Sequence, residues 1–346
     1  MDSNLLSNIK FNCDVSDAQF WGYFSICGLL LRYRDLYRSE KSLKPWTDIN
    51  RNDIGEWIAG KEAQWPELER KSFRELTIGN KTFLPFDVDG INRMLREQGL
   101  VYGAGYGMYM KPTFFLAELR SVREHSGLTV YTTGAEYVRD LFTAPGMLQE
   151  QTIFIRLEPL MLLLLYKYSE LNTRPSAATE DAFAHYGFRH RQLIDDTFEK
   201  RMEEAAGRYA EVLLYHELAE AREDVPEWKD ILAAAGDRKV ELYIRSVKDL
   251  LADTSGHGPY KRVVETRDRG ALGLMVAFMD GYRKMLFPEM KAAYGEFLHT
   301  ADWGLIEEAR KKGYVRLHAE RDKVVETYKN NSDDFAAGLR KLVDGL

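Results

Sequence analysis

The segment from Val101 to Thr113, VYGAGYGMYMKPT, combines glycine, tyrosine and lysine in a pattern typical of a ligand-binding loop. Glycine occurs where another group must approach the backbone closely, and tyrosine offers an apolar face with a hydroxyl at its tip. Exposed amides with a nearby cation suit an anion, and Lys111 or Arg120 would supply the positive charge. The pattern predicts a concave loop that binds a small anionic or nucleotide-like ligand through Tyr102, Gly103, Gly105, Tyr106, Gly107, Tyr109, Lys111 and Arg120.

The same segment also has a purely structural interpretation. GAGYG lacks the Gly-x-x-Gly half of the dinucleotide fingerprint, and Pro112 stands where the helix of such a site would run. Lys111 is followed by proline, so the segment is not a Walker motif either. A glycine-rich turn that lets tyrosines pack against a sheet needs no ligand, and this alternative stays open.

A second chemical pattern is HELAE, from His216 to Glu220, on a long predicted helix. His216 and Glu220 are one turn apart, so both can reach one metal ion, and Glu217 stands where a zinc protease has its catalytic base. The pattern departs from HExxH because Glu220 replaces the second histidine. Apolar residues at three-to-four spacing predict that His216 faces the interior. A hydrogen-bonded core histidine beside a solvated acidic face is therefore the structural alternative.

The elements that position these residues follow an α+β pattern. Helical signals fill the first 75 residues, with Asp14 or Ser16 as the predicted cap of one helix and Asp48 or Asn52 as the cap of the next. Strand signals lie between Leu76 and Leu157: a hairpin at Gly79-Asn80, two strands joined at His125-Ser126-Gly127, and a strand at 152–157. After Asn172 only helices are predicted. We therefore expect an α+β region with a small antiparallel sheet at 1–172 and a helical bundle at 173–346.

The composition narrows the class of protein. The 346 residues are 45% hydrophobic and 29% charged, as in ordinary globular proteins, and the net charge of −6 predicts neither nucleic acid nor membrane as a partner. The apolar window LEPLMLLLLYKY is too short to span a bilayer. The N-terminal residues do not resemble a secretory signal, and two cysteines are too few for a disulfide framework. Together these features predict a cytoplasmic protein in which Cys27, within ICGLLL, is buried.

Two stretches, FNCDVSDAQFWGYFSICGLLLRYRDLYR and VYGAGYGMYMKPTFF, resemble an uncharacterised bacterial protein family of unknown function. The resemblance covers the N-terminal half and implies no activity. Three hypotheses thus remain. The first is a protein that binds, and in one version turns over, an anionic ligand at the glycine–tyrosine segment. The second is a metal-dependent hydrolase or oxidase in which His216 and Glu220 hold the metal and Glu217 is the base, and the third is a non-enzymatic helical interaction module. The sequence names no cofactor and no oligomeric state.

Overall fold

The chain divides into two units in a computed structural model that describes residues 3–223, 225–330 and 335–345. The first unit ends at Leu162 and the second begins at Leu163. The first combines helices with two sheets, and the second is helical throughout its described residues. The predicted α+β class, with an all-helical C-terminal half, is confirmed.

The first unit contains four helices and seven strands before a helix that begins at Leu157. The helices are α1 (Ser3–Phe20), α2 (Ile26–Glu40), α3 (Arg51–Leu68) and α4 (Val88–Leu95). The strands are β1 (Leu76–Ile78), β2 (Lys81–Phe83), β3 (Leu100–Tyr106), β4 (Pro112–His125), β5 (Leu128–Arg139), β6 (Gly146–Gln149) and β7 (Thr152–Arg156).

The five-stranded sheet has the order β3-β4-β5-β7-β6. The predicted hairpins β1–β2 and β4–β5 and the strand β7 are confirmed, whereas β3 and β6 were not predicted. Neighbouring strands run antiparallel, as predicted, except for β5 and β7, which are parallel. A parallel pair needs a crossover, and here the segment containing β6 supplies it.

The sheet curls strongly, so that its two edge strands approach each other. A Cβ atom on Gly105 of β3 would overlap the side chain of Gln149 on β6. Apolar residues from all five strands form one core on the inner face: Val101, Phe115, Ala117, Tyr131, Met147 and Phe154. The outer face is covered by α1 and α4, with Leu5, Ile9, Ile91 and Leu95 in the core there.

The predicted helix caps in the first unit are wrong. Asp14 and Ser16 lie inside α1, and α2 is instead capped by Ser25, whose hydroxyl accepts a hydrogen bond from the Gly28 amide at 3.2 Å. The cap of α3 is Asn50. Asp14 pairs with Lys61 at 2.6 Å, so its side chain serves a tertiary contact rather than a helix end.

The predicted burial of Cys27 is also wrong. Cys27 is exposed at the start of α2, beside Ile26 and Leu30, which are 80% and 47% exposed. The buried residues of this helix lie in its second half and include Tyr33 and Leu36. The apolar run ICGLLL therefore forms the first half of α2 but is not buried.

The second unit contains only helices among its described residues, as predicted. A helix that begins in the first unit, α5 (Leu157–Thr173), precedes ten more: α6 (Ala177–His185), α7 (Asp196–Arg222), α8 (Trp228–Ala234), α9 (Arg238–Thr254), α10 (Pro259–Thr266), α11 (Arg269–Ala277), α12 (Gly281–Leu286), α13 (Pro288–Thr300), α14 (Trp303–Asn330) and α15 (Phe335–Asp344). Within the described ranges, no helix has both the length and the apolar character that crossing a membrane requires.

The sequence predicts one helix from Arg267 to Leu286 and another from Glu289 to Lys312, and the structure breaks both. The first is split between α11 and α12, and the second is split between α13 and α14. The second break falls at Ala301, which has a positive φ of 54°. Such a residue ends a helix in the left-handed conformation, and alanine there gives no sequence signal because glycine is the usual choice.

Candidate functional site

The second unit contains a cluster of ionisable side chains between α7 and α9, centred on His216. The Nδ1 atom of His216 lies 2.7 Å from Oδ1 of Asp253, and Nε2 lies 3.5 Å from Oε2 of Glu220. The histidine side chain is 16% exposed, so the prediction that it faces the interior is confirmed. Both ring nitrogens therefore face carboxylates, one from the same helix and one from α9.

Three potential metal ligands converge in this cluster. One ligand atom each from His216, Glu220 and Asp249 lies within 4.8 Å of the other two. Donor atoms around a tetrahedral ion stand about 3.4 Å apart when the metal–ligand bonds are about 2.1 Å long. The three groups would therefore draw slightly closer when an ion binds.

Two cations neutralise the carboxylates of the cluster. Lys248 of α9 forms an ion pair with Glu220, and Arg283 of α12 forms one with Asp249. The six-residue helix α12 therefore contributes to the site, although its sequence contains no pattern typical of one. A metal ion that used both carboxylates would compete with these two cations.

The electrostatic surroundings of His216 favour its charged form. Burial lowers the pKa of the imidazole, but the charge and hydrogen bond of Asp253 outweigh burial, and Glu217 and Asp249 add to the effect. The pKa of His216 rises to about 9 as a result. In the metal-free protein the ring is therefore an imidazolium at neutral pH, donating to Asp253.

The predicted base, Glu217, is buried at 5% exposure beside the same cluster. Burial raises its pKa, while the charges of His216 and Lys248 act in the opposite direction. Burial also favours the neutral form of Lys248, and it therefore lowers the pKa of that ammonium group. Titratable groups shifted by burial and by specific partners are frequent at functional sites, although structural ion networks produce the same shifts.

The glycine–tyrosine segment is mostly a strand and not a loop. Tyr102, Gly103, Gly105 and Tyr106 belong to β3, and Gly107 follows directly. A Cβ atom on Gly103 would overlap the Phe115 ring of the neighbouring strand, and one on Gly107 would lie 2.8 Å from the Phe142 ring. The space beside these glycines is thus filled by the protein's own side chains.

The tyrosines of the segment have different surroundings. Tyr102 is fully buried, and its hydroxyl donates to the Pro85 carbonyl oxygen at 2.8 Å. Tyr106 is 46% exposed and stacks on Phe86 with ring centroids 5.1 Å apart. Tyr109 stacks on Tyr23. Of the three, only Tyr106 offers a largely exposed ring.

The two cations expected at the glycine segment lie elsewhere. Lys111 is 2% exposed, and its ammonium lies 3.1 Å from Asp17 and 3.5 Å from Asp140. Arg120 is exposed and paired with Glu118 at 3.1 Å. It follows Phe115 by five residues on β4, which corresponds to roughly 16 Å of extended chain. The structure therefore brings neither cation to an open surface beside Gly103 and Gly105.

Sequence reasoning missed the α9 half of the cluster around His216. Asp249 and Asp253 are one turn apart in DLLAD, the same spacing that singled out His216 and Glu220. Both pairs were on predicted helices, so the matching spacing was an available signal. Their contact depends on α7 and α9 packing side by side, which no local pattern reveals.

Comparison with known proteins identifies one family. The N-terminal domain of the family of unknown function DUF6866 matches residues 4–156, and its C-terminal domain matches residues 162–345. Neither the curated proteins nor the solved structures include a significant match. The predicted resemblance to a family of unknown function is confirmed and extends over both units. On these matches, the chain belongs to the DUF6866 family.

Proposed function

We propose that the second unit binds one divalent transition-metal ion through His216, Glu220 and Asp249. The observation that carries the proposal is the convergence of these three ligand atoms, from two helices, within 4.8 Å of one another. An imidazole with two carboxylates suits Mn²⁺, Fe²⁺ or Zn²⁺ better than Ca²⁺ or Mg²⁺, which prefer oxygen ligands alone.

The contact between His216 and Asp253 supports the same proposal. Metal-binding histidines usually donate their second ring N–H to a carboxylate, which fixes the tautomer and the ring orientation. Here Nδ1 faces Asp253 at 2.7 Å, while Nε2 is directed toward Glu220. Asp253 would therefore orient the ring, and Nε2 would be the atom that binds the ion.

The chemistry that follows from such a site is hydrolysis or oxidation. Three protein ligands leave a coordination position for water, whose pKa a bound metal lowers toward neutrality. Glu217 is buried beside the ligands, and burial raises its pKa, which makes it a better proton acceptor than an ordinary carboxylate. We assign Glu217 the role of general base in this proposal.

The metal proposal is tested by loading the full chain with Zn²⁺, Mn²⁺ or Fe²⁺ and counting metal after gel filtration. We expect about one ion per chain in the wild type. For His216→Ala we expect an affinity weaker by at least roughly 100-fold, because changing a residue that only supports the ligands can already cost that factor. His299→Ala removes an exposed histidine and is the matched control. Asp249→Asn provides a second variant of nearly unchanged shape.

A second readout of the metal proposal is proton release. The imidazolium of His216 must lose its Nε2 proton before it can bind a metal, so binding at pH 7 should release at least one proton. Calorimetry in two buffers of different ionisation enthalpy measures this number. Equal metal content in wild type and His216→Ala, or no retained metal in the wild type, would overturn the proposal.

An anionic ligand at the glycine–tyrosine segment is a second proposal, and it has less support. The exposed Tyr106 ring, stacked on Phe86, favours an aromatic contact surface. Lys111 does not favour it, since two carboxylates already neutralise its charge. A ligand that stabilises the wild type equally well after Tyr106→Ala would exclude this surface. If neither metal nor anion binds, the interaction-module hypothesis gains support.

A further inference from the structure

The inner face of the curled sheet contains charged side chains in addition to its apolar core. Arg156 of β7 is fully buried, and its guanidinium donates to both carboxylate oxygens of Glu136 on β5, at 2.6 and 3.0 Å. The same guanidinium lies over the Phe115 ring, 4.2 Å from its centroid. This bidentate pair occupies both oxygens of Glu136, and a second arginine lies beside it.

That second arginine, Arg139, has a buried guanidinium without a hydrogen-bond partner. Its side chain is 1% exposed, and Nε lies 3.5 Å from Glu136 Oε2, within ion-pair range. None of its three side-chain nitrogens makes a hydrogen bond within the described part of the chain. A guanidinium carries five N–H donors, and burying them unsatisfied is costly. Arg139 therefore has an ion-pair partner in Glu136 but no hydrogen-bond acceptor among the described residues.

A buried hydroxyl in the same neighbourhood also lacks a partner. Thr133 is fully buried on β5, pairs with Arg156 across the sheet, and precedes Glu136 by three residues. Its hydroxyl makes no hydrogen bond to any described residue. The inner face of the sheet therefore carries four buried side-chain atoms, three from Arg139 and one from Thr133, that make no hydrogen bond to a described residue.

The carboxylates nearby do not remove the excess of donors. Glu136 is already held by Arg156 through two hydrogen bonds. Glu158 accepts a hydrogen bond from the Glu136 amide at 2.8 Å, and burial together with the charge of Glu136 raises its pKa. The charges of Arg139 and Arg156 act in the opposite direction. Neither Glu136 nor Glu158 accepts a hydrogen bond from Arg139.

We propose that Arg139 binds a single small oxyanion on the inner face of the sheet, with Thr133 as a second donor. The ligand class is a phosphate, a sulfate or the carboxylate group of a small organic acid, since each offers several acceptor oxygens to the planar guanidinium fork. The site is independent of the proposed metal site. In this proposal the anion is bound by Arg139, and not by Lys111 or Arg120 as the sequence predicts.

The test is the thermal stability of the full chain in inorganic phosphate, sulfate or acetate, compared with chloride at equal ionic strength. A chelator is present, so that the result does not depend on the proposed metal site. We expect saturable stabilisation of the wild type by at least one oxyanion, and the three salts separate a phosphate-type site from a carboxylate site. A ligand that binds only the folded state raises the melting temperature in this way.

Arg139→Gln should lose the oxyanion effect, with apparent affinity reduced by roughly 10-fold or more, as expected when a charged hydrogen-bond donor is removed. Arg120→Gln removes an exposed guanidinium and should leave the effect unchanged, which controls for surface binding. Thr133→Val has nearly the same shape as the wild type and should weaken the apparent oxyanion affinity by a smaller factor.

The proposal is overturned if none of the three oxyanions stabilises the wild type, which would leave an internal water as the acceptor for Arg139. Equal stabilisation of wild type and Arg139→Gln would overturn it as well. Should Arg139→Gln fail to fold, Arg139→Lys retains the charge without the guanidinium fork and should bind phosphate more weakly. Unchanged phosphate binding by that folded variant would count against the proposal.

Discussion

At the scale of single residues, the ion pair between His216 and Asp253 is the contact with the clearest energetic consequence. The imidazole has a folded-state pKa of about 9, above its ordinary value of 6.5. A group whose pKa is raised by folding stabilises the protein fully below its unfolded pKa and loses that effect as the pH rises through its folded pKa. The contribution of His216 is therefore present at pH 6 and lost between pH 6.5 and 9.

Asp253→Asn should remove most of this contribution. We expect the variant to lose about 2 kcal/mol of unfolding free energy at pH 6, and less at pH 9.5, where wild-type His216 is largely neutral. Urea denaturation at the two pH values measures the difference, and an NMR titration of the ring should show the pKa falling. Asp322→Asn, at a side chain that is 66% exposed, is the control. A pH-independent loss of stability in Asp253→Asn would contradict the assigned pair.

At the scale of elements, strand β3 explains why three closely spaced glycines occur in this sequence. Gly103 lies under the Phe115 ring, and Gly105 lies under the side chain of Gln149 from the opposite edge of the sheet. A side chain at Gly103 would displace the Phe115 ring, and one at Gly105 would displace the end of the Gln149 side chain. The glycines therefore permit close packing of Phe115 and Gln149, whereas the structural alternative for this segment expected tyrosines to pack there.

Gly103→Ala should consequently destabilise the protein. Its Cβ would overlap the Phe115 ring, and overpacking of this kind typically costs about 1–3 kcal/mol. Gly60→Ala is the matched control, because that glycine lies in α3 with open space around it, and alanine there should be neutral or stabilise by up to about 1 kcal/mol. Urea unfolding at pH 7 compares the two. If Gly103→Ala matched the wild type within about 0.5 kcal/mol, the packing explanation would be wrong.

At the scale of the whole molecule, each proposed site draws its residues from one unit. The metal ligands His216, Glu220 and Asp249 belong to the second unit, and Arg139 with Thr133 belongs to the first. The two family domains, at 4–156 and 162–345, divide the chain in nearly the same place. We therefore expect the two ligands to act on separate parts of the chain.

Hydrogen exchange of the full chain tests this separation. Zn²⁺ should slow exchange in peptides from α7 and α9, since binding at His216 and Asp249 joins these two helices. Phosphate should slow exchange in β5 and β7 instead, and His216→Ala should lose only the first effect. Protection by Zn²⁺ confined to residues 4–156 would contradict the assignment of the metal site.

Local signals in the sequence were enough for the class of fold, the hairpins β1–β2 and β4–β5, and the helical second half. These features depend on residues near each other in the chain, such as the turn at Gly79-Asn80 and the three-to-four spacing around His216. The inward direction of His216 followed from the same periodicity. Helix breaks without glycine or proline, as at Ala301, had no such signal.

Tertiary structure alone decided which charges meet. Asp253 is 37 residues from His216, and Arg283 is 34 residues from Asp249, so their pairing depends on how α7, α9 and α12 pack. The curl of the sheet likewise decided that Gln149 covers Gly105. The packing of α1 on the sheet decided that Lys111 lies between Asp17 and Asp140. Periodicity reports which side of an element faces the core, but the identity of the group opposite is a property of packing.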